Sequence, residues 1–168
     1  MARVLEWDIT VPYRWTCGPI YGRFLGGFKE KQILGIKCES CSKVFCPPQE
    51  TCPCCGEAFD PENFINLGEE GEVISFTKIE ENFFGSPPDP ENIQKRIAPV
   101  EMEESPLLWP PDPPYALVMV RIDGADSAFL HMAKGEDMDR LSVGGRVRAV
   151  WKDEREGYLL DLEGFTVI

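Results

Sequence analysis

Four cysteines carry the chemistry of this sequence. Cys38, Cys41, Cys52 and Cys55 form two Cys-x-x-Cys pairs with ten residues between them. A two-residue spacer lets both thiolates of a pair turn toward one point, and two such knuckles facing each other close a tetrahedral four-thiolate shell around Zn²⁺. A shell with no vacant position anchors structure and performs no Lewis-acid chemistry. Gly56 follows Cys55 and suits the tight turn after a knuckle, since glycine takes positive φ without steric cost. Ser42 holds the matching place after Cys41, so the first knuckle is the less ideal of the two. Three other states of the same thiols stand beside zinc: disulfides, a single iron, or no metal. Cys54 abuts Cys55, and two adjacent residues do not both point easily into one small shell, so it is left out. Cys17 and Cys46 are read as small buried apolar residues.

The elements that must hold these ligands come next. The 168 residues fit one ordinary domain, or a small module attached to a domain of about 100 residues. A hydrophobic fraction of 43% supports a packed core. From Pro19, Ile20, Tyr21, Phe24, Leu25 and Phe28 recur at three- and four-residue intervals, which is the signature of one helix face. Gly22, Gly26 and Gly27 weaken that helix, so packing has to hold it, most simply against the ribbon. Residues 33–37 read as the strand that delivers Cys38, and residues 64–67 resume an apolar run after Asp60-Pro61. Five short strands follow, at 73–79, Tyr115–Ile122, 128–132, Arg146–Trp151 and 158–167, with a helical turn after the third. Turns at Asp123-Gly124 and around Gly157, with a bend at Gly164, complete the pattern of an OB-type barrel.

The expected fold class is therefore mainly β: an N-terminal helix and rubredoxin-like zinc ribbon followed by a five-stranded OB-type barrel. The expected division is an aromatic arm over 1–18, helix and ribbon over 19–66, and the OB-fold domain over 67–168. That last domain carries a proline-rich insertion at 85–114, which holds nine of the fifteen prolines together with Ile93, Ile97, Leu107, Leu108 and Trp109. Tyr13 and Trp15 in the arm, Tyr21, Phe24 and Phe28 on the helix and Trp109 in the insertion are candidate partner-docking anchors, because Trp and Tyr dominate interface energetics. For the helix stripe the competing reading is core.

A net charge of −12 repels a phosphate backbone, which weighs against a single-stranded nucleic-acid binder despite the ribbon and barrel. The opening residues show no positive region followed by an apolar run, and no apolar stretch is long enough to span a bilayer, so a cytoplasmic protein is expected. Catalysis by this chain alone is not expected. Its single histidine, His131, lies in a strand-like run, no serine sits in a nucleophile elbow, and no glycine-rich loop has phosphate-cradling spacing. Arg14, Arg23, Lys29, Lys31 and Lys37 concentrate near the N-terminus, where they either meet an anion or an acidic surface or are simply solvated.

Several motifs occur in a telling order. Phe28-Lys29-Glu30-Lys31-Gln32 leads to the first Cys-x-x-Cys, and the Pro47-Pro48 pair and Cys52-Pro53-x-Cys55-Gly56 follow. Gly71-Glu72-Val73-Ile74-Ser75-Phe76-Thr77 and Leu141-Ser142-Val143-Gly144-Gly145-Arg146-Val147 complete the series. Together they resemble the acyl-CoA-associated family that joins a rubredoxin-like zinc ribbon to an OB fold, over roughly residues 20–168. The resemblance implies a non-catalytic companion of a thiolase-fold subunit in a hetero-oligomer, with structural zinc on the four cysteines and a coenzyme A thioester as substrate of the complex. It extends to bridging a thiolase and a hydroxymethylglutaryl-CoA synthase, or serving a hydratase. Ser42 stands where the family often has glycine, and Gln49 where arginine often follows the proline pair, so an anion contact from that position is in doubt. The 85–114 stretch also exceeds the usual length.

Overall fold

The computed structural model describes residues 16–81 and 113–168. Helix α1 spans Gly18–Lys29, with Pro19 in its first turn, where a missing N–H costs nothing, and Lys29 in its last. Cys17 at its N-cap makes no side-chain capping bond. Ile20, Phe24, Gly27 and Phe28 face inward, the four-residue rhythm of one helix stripe. Gly27 is required by contact: a Cβ there would lie 2.9 Å from the Leu34 side chain, so the helix crosses its neighbour closely.

Three short strands, β1 (Leu34–Lys37), β2 (Val44–Phe45) and β3 (Phe64–Asn66), form an antiparallel sheet in the order β2-β1-β3. Ile36 pairs with Phe45 on one side and Phe64 on the other. The rest is a closed five-stranded barrel of β4 (Glu70–Ile79), β5 (Tyr115–Ile122), β6 (Phe129–Ala133), β7 (Arg146–Trp151) and β8 (Leu162–Val167), ordered β4-β5-β6-β8-β7. Only β6 and β8 pair in parallel, and β4 is shared by β5 and β7. A single 3-10 turn, Gly135–Asp137, follows β6, as expected of the OB plan. Gly71 sits where β4 serves both neighbours, and a Cβ there would meet the Arg121 carbonyl at 2.6 Å.

The expected strands are present with shifted ends. The first begins at Glu70, the third runs Phe129–Ala133, and the last begins at Leu162 after a second 3-10 turn, Leu159–Asp161. Asp161 dictates that turn by accepting from the backbone N–H groups of Glu156, Gly157 and Tyr158.

The stripe on α1 serves the barrel more than the ribbon. Phe24 and Phe28 are 0% exposed and belong to the main core with Val73, Val118, Phe129 and Phe165, while Ile20 alone joins the ribbon core of Ile36, Phe45 and Phe59. Edge-on ring contacts link Phe24 to Phe28 at 4.9 Å and to Phe129 at 5.9 Å, and Phe28 to Trp151 at 5.3 Å. The ribbon is also clamped directly to the β5–β6 connection. The backbone N–H of Val44 donates to Asp126 at 2.9 Å and Lys43 pairs with the same carboxylate at 2.8 Å. The N–H of Cys46 donates to Ser127 Oγ at 2.7 Å, and Ser127 Oγ donates back to the Cys46 carbonyl.

Candidate metal centre

Each cysteine pair rides on a knuckle, and the two knuckles are built alike. In the first, the Ser42 N–H donates to the Cys38 carbonyl and the Cys38 N–H to the Lys43 carbonyl, both at 2.8 Å. In the second, the Gly56 N–H donates to the Cys52 carbonyl and the Cys52 N–H to the Glu57 carbonyl, again at 2.8 Å. This closure demands a left-handed residue after the second cysteine. Gly56 supplies it at φ +75°, and Ser42 supplies it at φ +60° despite its side chain. The weaker first knuckle anticipated from Ser42 therefore has the same hydrogen bonds as the second and bears only a local conformational cost.

The knuckles bring the four expected ligands together. Their Sγ atoms all lie within 4.8 Å of one another, with Cys38 Sγ to Cys55 Sγ at 3.5 Å and Cys41 Sγ to Cys52 Sγ at 3.6 Å. Four sulfurs at about 2.3 Å from a central Zn²⁺ would stand about 3.8 Å apart, so the donor set fits a tetrahedral zinc held by four thiolates. No disulfide joins them, since a bonded pair would stand near about 2.05 Å. Cys38 and Cys52 are buried in the ribbon core, Cys41 is half-buried against it, and Cys55 is exposed.

The electrostatics are those of thiols packed for a cation. For Cys52, burial raises the thiol, but backbone N–H groups of Cys54 and Cys55 outweigh it and bring the value down to about 6. For Cys41, the N–H of Lys43 lowers it, yet desolvation and the neighbouring thiols prevail and push it up to about 12. The Cys52 thiolate thus forms readily while the Cys41 and Cys55 thiols are held up, a conflict that a divalent cation at the centre would remove.

The other cysteines separate cleanly. Cys46 is buried as expected, and burial pushes its thiol up to about 12, which makes it no nucleophile. Cys54 is exposed and outside the cluster, and Cys17 is exposed rather than buried, which corrects its assignment to the core.

With this geometry in view, comparison places the fold. No family model matches the sequence, and no curated protein matches it. Solved structures resemble it in shape, two of them as follows. One is a protein of unknown function from the DUF35 family of Sulfolobus solfataricus, 21% identical, with a TM-score of 0.53 over 79% of this chain and 78% of that one. The other is described as an Ltp2-ChsH2(DUF35) aldolase, 19% identical, with a TM-score of 0.53 over 86% of this chain and 92% of that one. Their likeness establishes the fold that this chain shares with DUF35 proteins.

The docking anchors divide three ways. Tyr13, Trp15 and Trp109 lie outside the described residues. Phe24 and Phe28 are wholly buried in this chain's own core, so they offer no surface to a partner. Tyr21 is half-buried beside a cleft lined by Thr16, Cys17, Pro48, Gln49 and Glu50; burial, then the nearby Cys17, raises its hydroxyl pKa.

His131 is the chain's only histidine and is 6% exposed, between the rings of Phe129 and Phe165. Its Nε2 stands 3.4 Å from the Leu159 carbonyl, and Nδ1 has no partner, so it is less well satisfied than expected of a core histidine. Buried this far, it is badly placed to act as a base.

Sequence reasoning missed Asp126 and Ser127, the residues that lock the ribbon to the barrel. Nothing in their spacing marks them, because their partners Val44 and Cys46 lie 82 and 81 positions away.

Proposed function

We propose that this chain is a non-catalytic, zinc-pinned accessory subunit that docks on a thiolase-fold catalytic subunit and helps shape its acyl-CoA site. The observation that carries this reading is a cluster of four converging cysteine thiols joined to a five-stranded barrel. Four converging thiolates leave no open coordination position, and the single histidine of the chain is buried without access to substrate. The solved neighbour described as an Ltp2-ChsH2(DUF35) aldolase supports a place beside a second component in a carbon–carbon bond-cleaving assembly.

In the reaction proposed for the complex, a 3-oxoacyl-CoA is cleaved by coenzyme A. The incoming thiol forms a new thioester at the 3-carbonyl carbon, the bond between C2 and C3 breaks, and C2 takes up a proton. For 2-benzoylsuccinyl-CoA, the substrate we put forward from anaerobic aromatic degradation, the products are benzoyl-CoA and succinyl-CoA. Nucleophile and base reside on the partner, because that chemistry needs a cysteine activated by histidine and this chain has no such pair among its described residues.

A nucleic-acid role has no support in the charge distribution. All six described arginines are engaged within the chain: Arg121, Arg140, Arg146 and Arg148 in ion pairs, and Arg23 and Arg155 on backbone carbonyls. Local carboxylates and carbonyls offset these arginines, and the net charge of −12 opposes a phosphate backbone.

Reconstitution tests the proposal. The zinc-loaded chain and a thiolase-fold subunit encoded beside it are assayed separately and together for coenzyme A-dependent cleavage of 2-benzoylsuccinyl-CoA. Cleavage by the mixture, none by this chain alone, and co-elution as one complex are expected. Turnover by this chain alone, or salt-sensitive oligonucleotide binding without any complex, would overturn it.

A further inference from the structure

The outward residues of the barrel are not uniform around its circumference. Beyond the bulge between Val73 and Ser75, cross-strand register places Ser75, Met119 and Leu130 in one outward row. Thr77, Leu117 and Met132 form the next. On β5 and β6 these rows are Leu and Met only, and neither row contains a charge. Leu130 is 55% exposed, and Leu117, Met119 and Met132 remain partly exposed. At the edge of the first row stands Ile74, the bulged residue, 37% exposed. Val143, 68% exposed, lies in the turn whose Gly144 N–H donates to the Val73 carbonyl. Of the six large apolar side chains exposed among the described residues, Leu130 and Ile74 belong to this region, while Val143 lies beyond the edge of β4 that faces away from β5. The neighbouring row is closed by the ion pair of Arg121 with Glu72.

In OB folds the second and third strands are the face that receives ligands, and binders of single-stranded nucleic acid furnish it with stacking aromatics and cations. Here β5 and β6 hold those positions and present neither. Flexible Leu and Met side chains are instead the furnishing of a protein-docking surface.

We infer that the outward face of β5 and β6, centred on Leu130, is the surface that seats the catalytic companion subunit; the inference rests on the accessory role proposed above. Charge selects that occupant over a second copy. Two chains each carrying −12 repel on approach, whereas a partner with an apolar centre and a basic rim is drawn in. The barrel, rather than the helix stripe, is then the docking element, consistent with Phe24 and Phe28 being spent in the core.

Titration of the full-length, zinc-loaded chain against the thiolase-fold subunit used in reconstitution tests the inference. Leu130→Asp and Leu130→Lys are compared with Tyr158→Asp, a control at an equally exposed residue outside the two rows. Both Leu130 variants should weaken binding tenfold or more while keeping the wild-type melting temperature and zinc content, and the Tyr158 variant should bind within twofold of wild type. Unaltered binding by the Leu130 variants, with wild type binding, overturns the inference and leaves the accessory role standing. No binding by wild type overturns both. A self-association of the free chain that Leu130→Asp abolishes assigns the face to a second copy, and a melting temperature lowered by more than about 5 °C assigns it to this chain's own interior; either result overturns the inference.

Discussion

At Ser42 the backbone sits at φ +60°, a region that a residue with a Cβ occupies at a cost of about 1 kcal/mol or more. The knuckle holds it there through the Ser42 N–H to the Cys38 carbonyl. Ser42→Gly should therefore stabilise the protein by about 0.5–1 kcal/mol, after allowance for the greater freedom of glycine in the unfolded chain. Denaturant unfolding of the zinc-loaded protein measures this, and a loss of stability would show that the serine side chain has a role of its own. A second residue-scale expectation concerns His131, whose burial lowers its pKa below the ordinary 6.5. Above pH 6.5 the folded and unfolded chains both hold it neutral. Below that value the unfolded chain takes up the proton first, so stability falls as pH drops from 6.5 toward the folded value, with a slope of at most about 1.4 kcal/mol per pH unit. His131→Leu should flatten that slope in unfolding titrations taken downward from pH 6.5. Asp126 and Asp123 do not confuse the reading. The hydrogen bond from Lys43 lowers Asp126, and the hydrogen bond from Arg146 lowers Asp123, so their stabilisation persists above the usual carboxylate range and is lost only on further acidification.

At the scale of elements, α1 is a poor helix made secure by its neighbours. Gly22, Gly26 and Gly27 all fall within it, and its hold on the barrel passes through two phenylalanines. Phe24→Ala should cost about 3–5 kcal/mol, measured by denaturant unfolding, because the space left between Phe28 and Phe129 cannot close on a rigid barrel. Loss of less than about 1 kcal/mol would mean that the helix is not integral to the core. The clamp between ribbon and barrel should behave differently. Asp126→Ala removes an exposed ion pair, worth little alone, and the acceptor of the Val44 N–H, so about 1–2 kcal/mol is expected from the same measurement. The helix stripe was legible in its spacing, but not its partner: periodicity says which residues share a face and nothing about what that face meets. β5 and β7 were legible to the residue, since each alternates between a packed and a solvated side and ends at a turn. The last strand was read too early because Tyr158 and Leu159 have strand-like composition, while Asp161 folds them into a turn through three backbone bonds.

For the molecule as a whole, the cluster of four cysteines was the most legible feature, because Cys-x-x-Cys spacing is a local geometric requirement that no distant contact can alter. The apolar face of the barrel was the least legible. Leu117, Met119, Leu130 and Met132 look like core in sequence, and only the cross-strand register shows them pointing outward together. The proposed accessory role is compatible with the surplus of negative charge and with arginines that pair within the chain. That account depends on the thiolate cluster being a closed metal centre. X-ray absorption at the zinc edge, with metal quantified per chain in the full-length protein purified under reducing conditions, tests it most directly. One zinc per chain with four sulfur neighbours at about 2.3 Å is the expected result; substoichiometric metal, or a shell that includes oxygen or nitrogen, would contradict it.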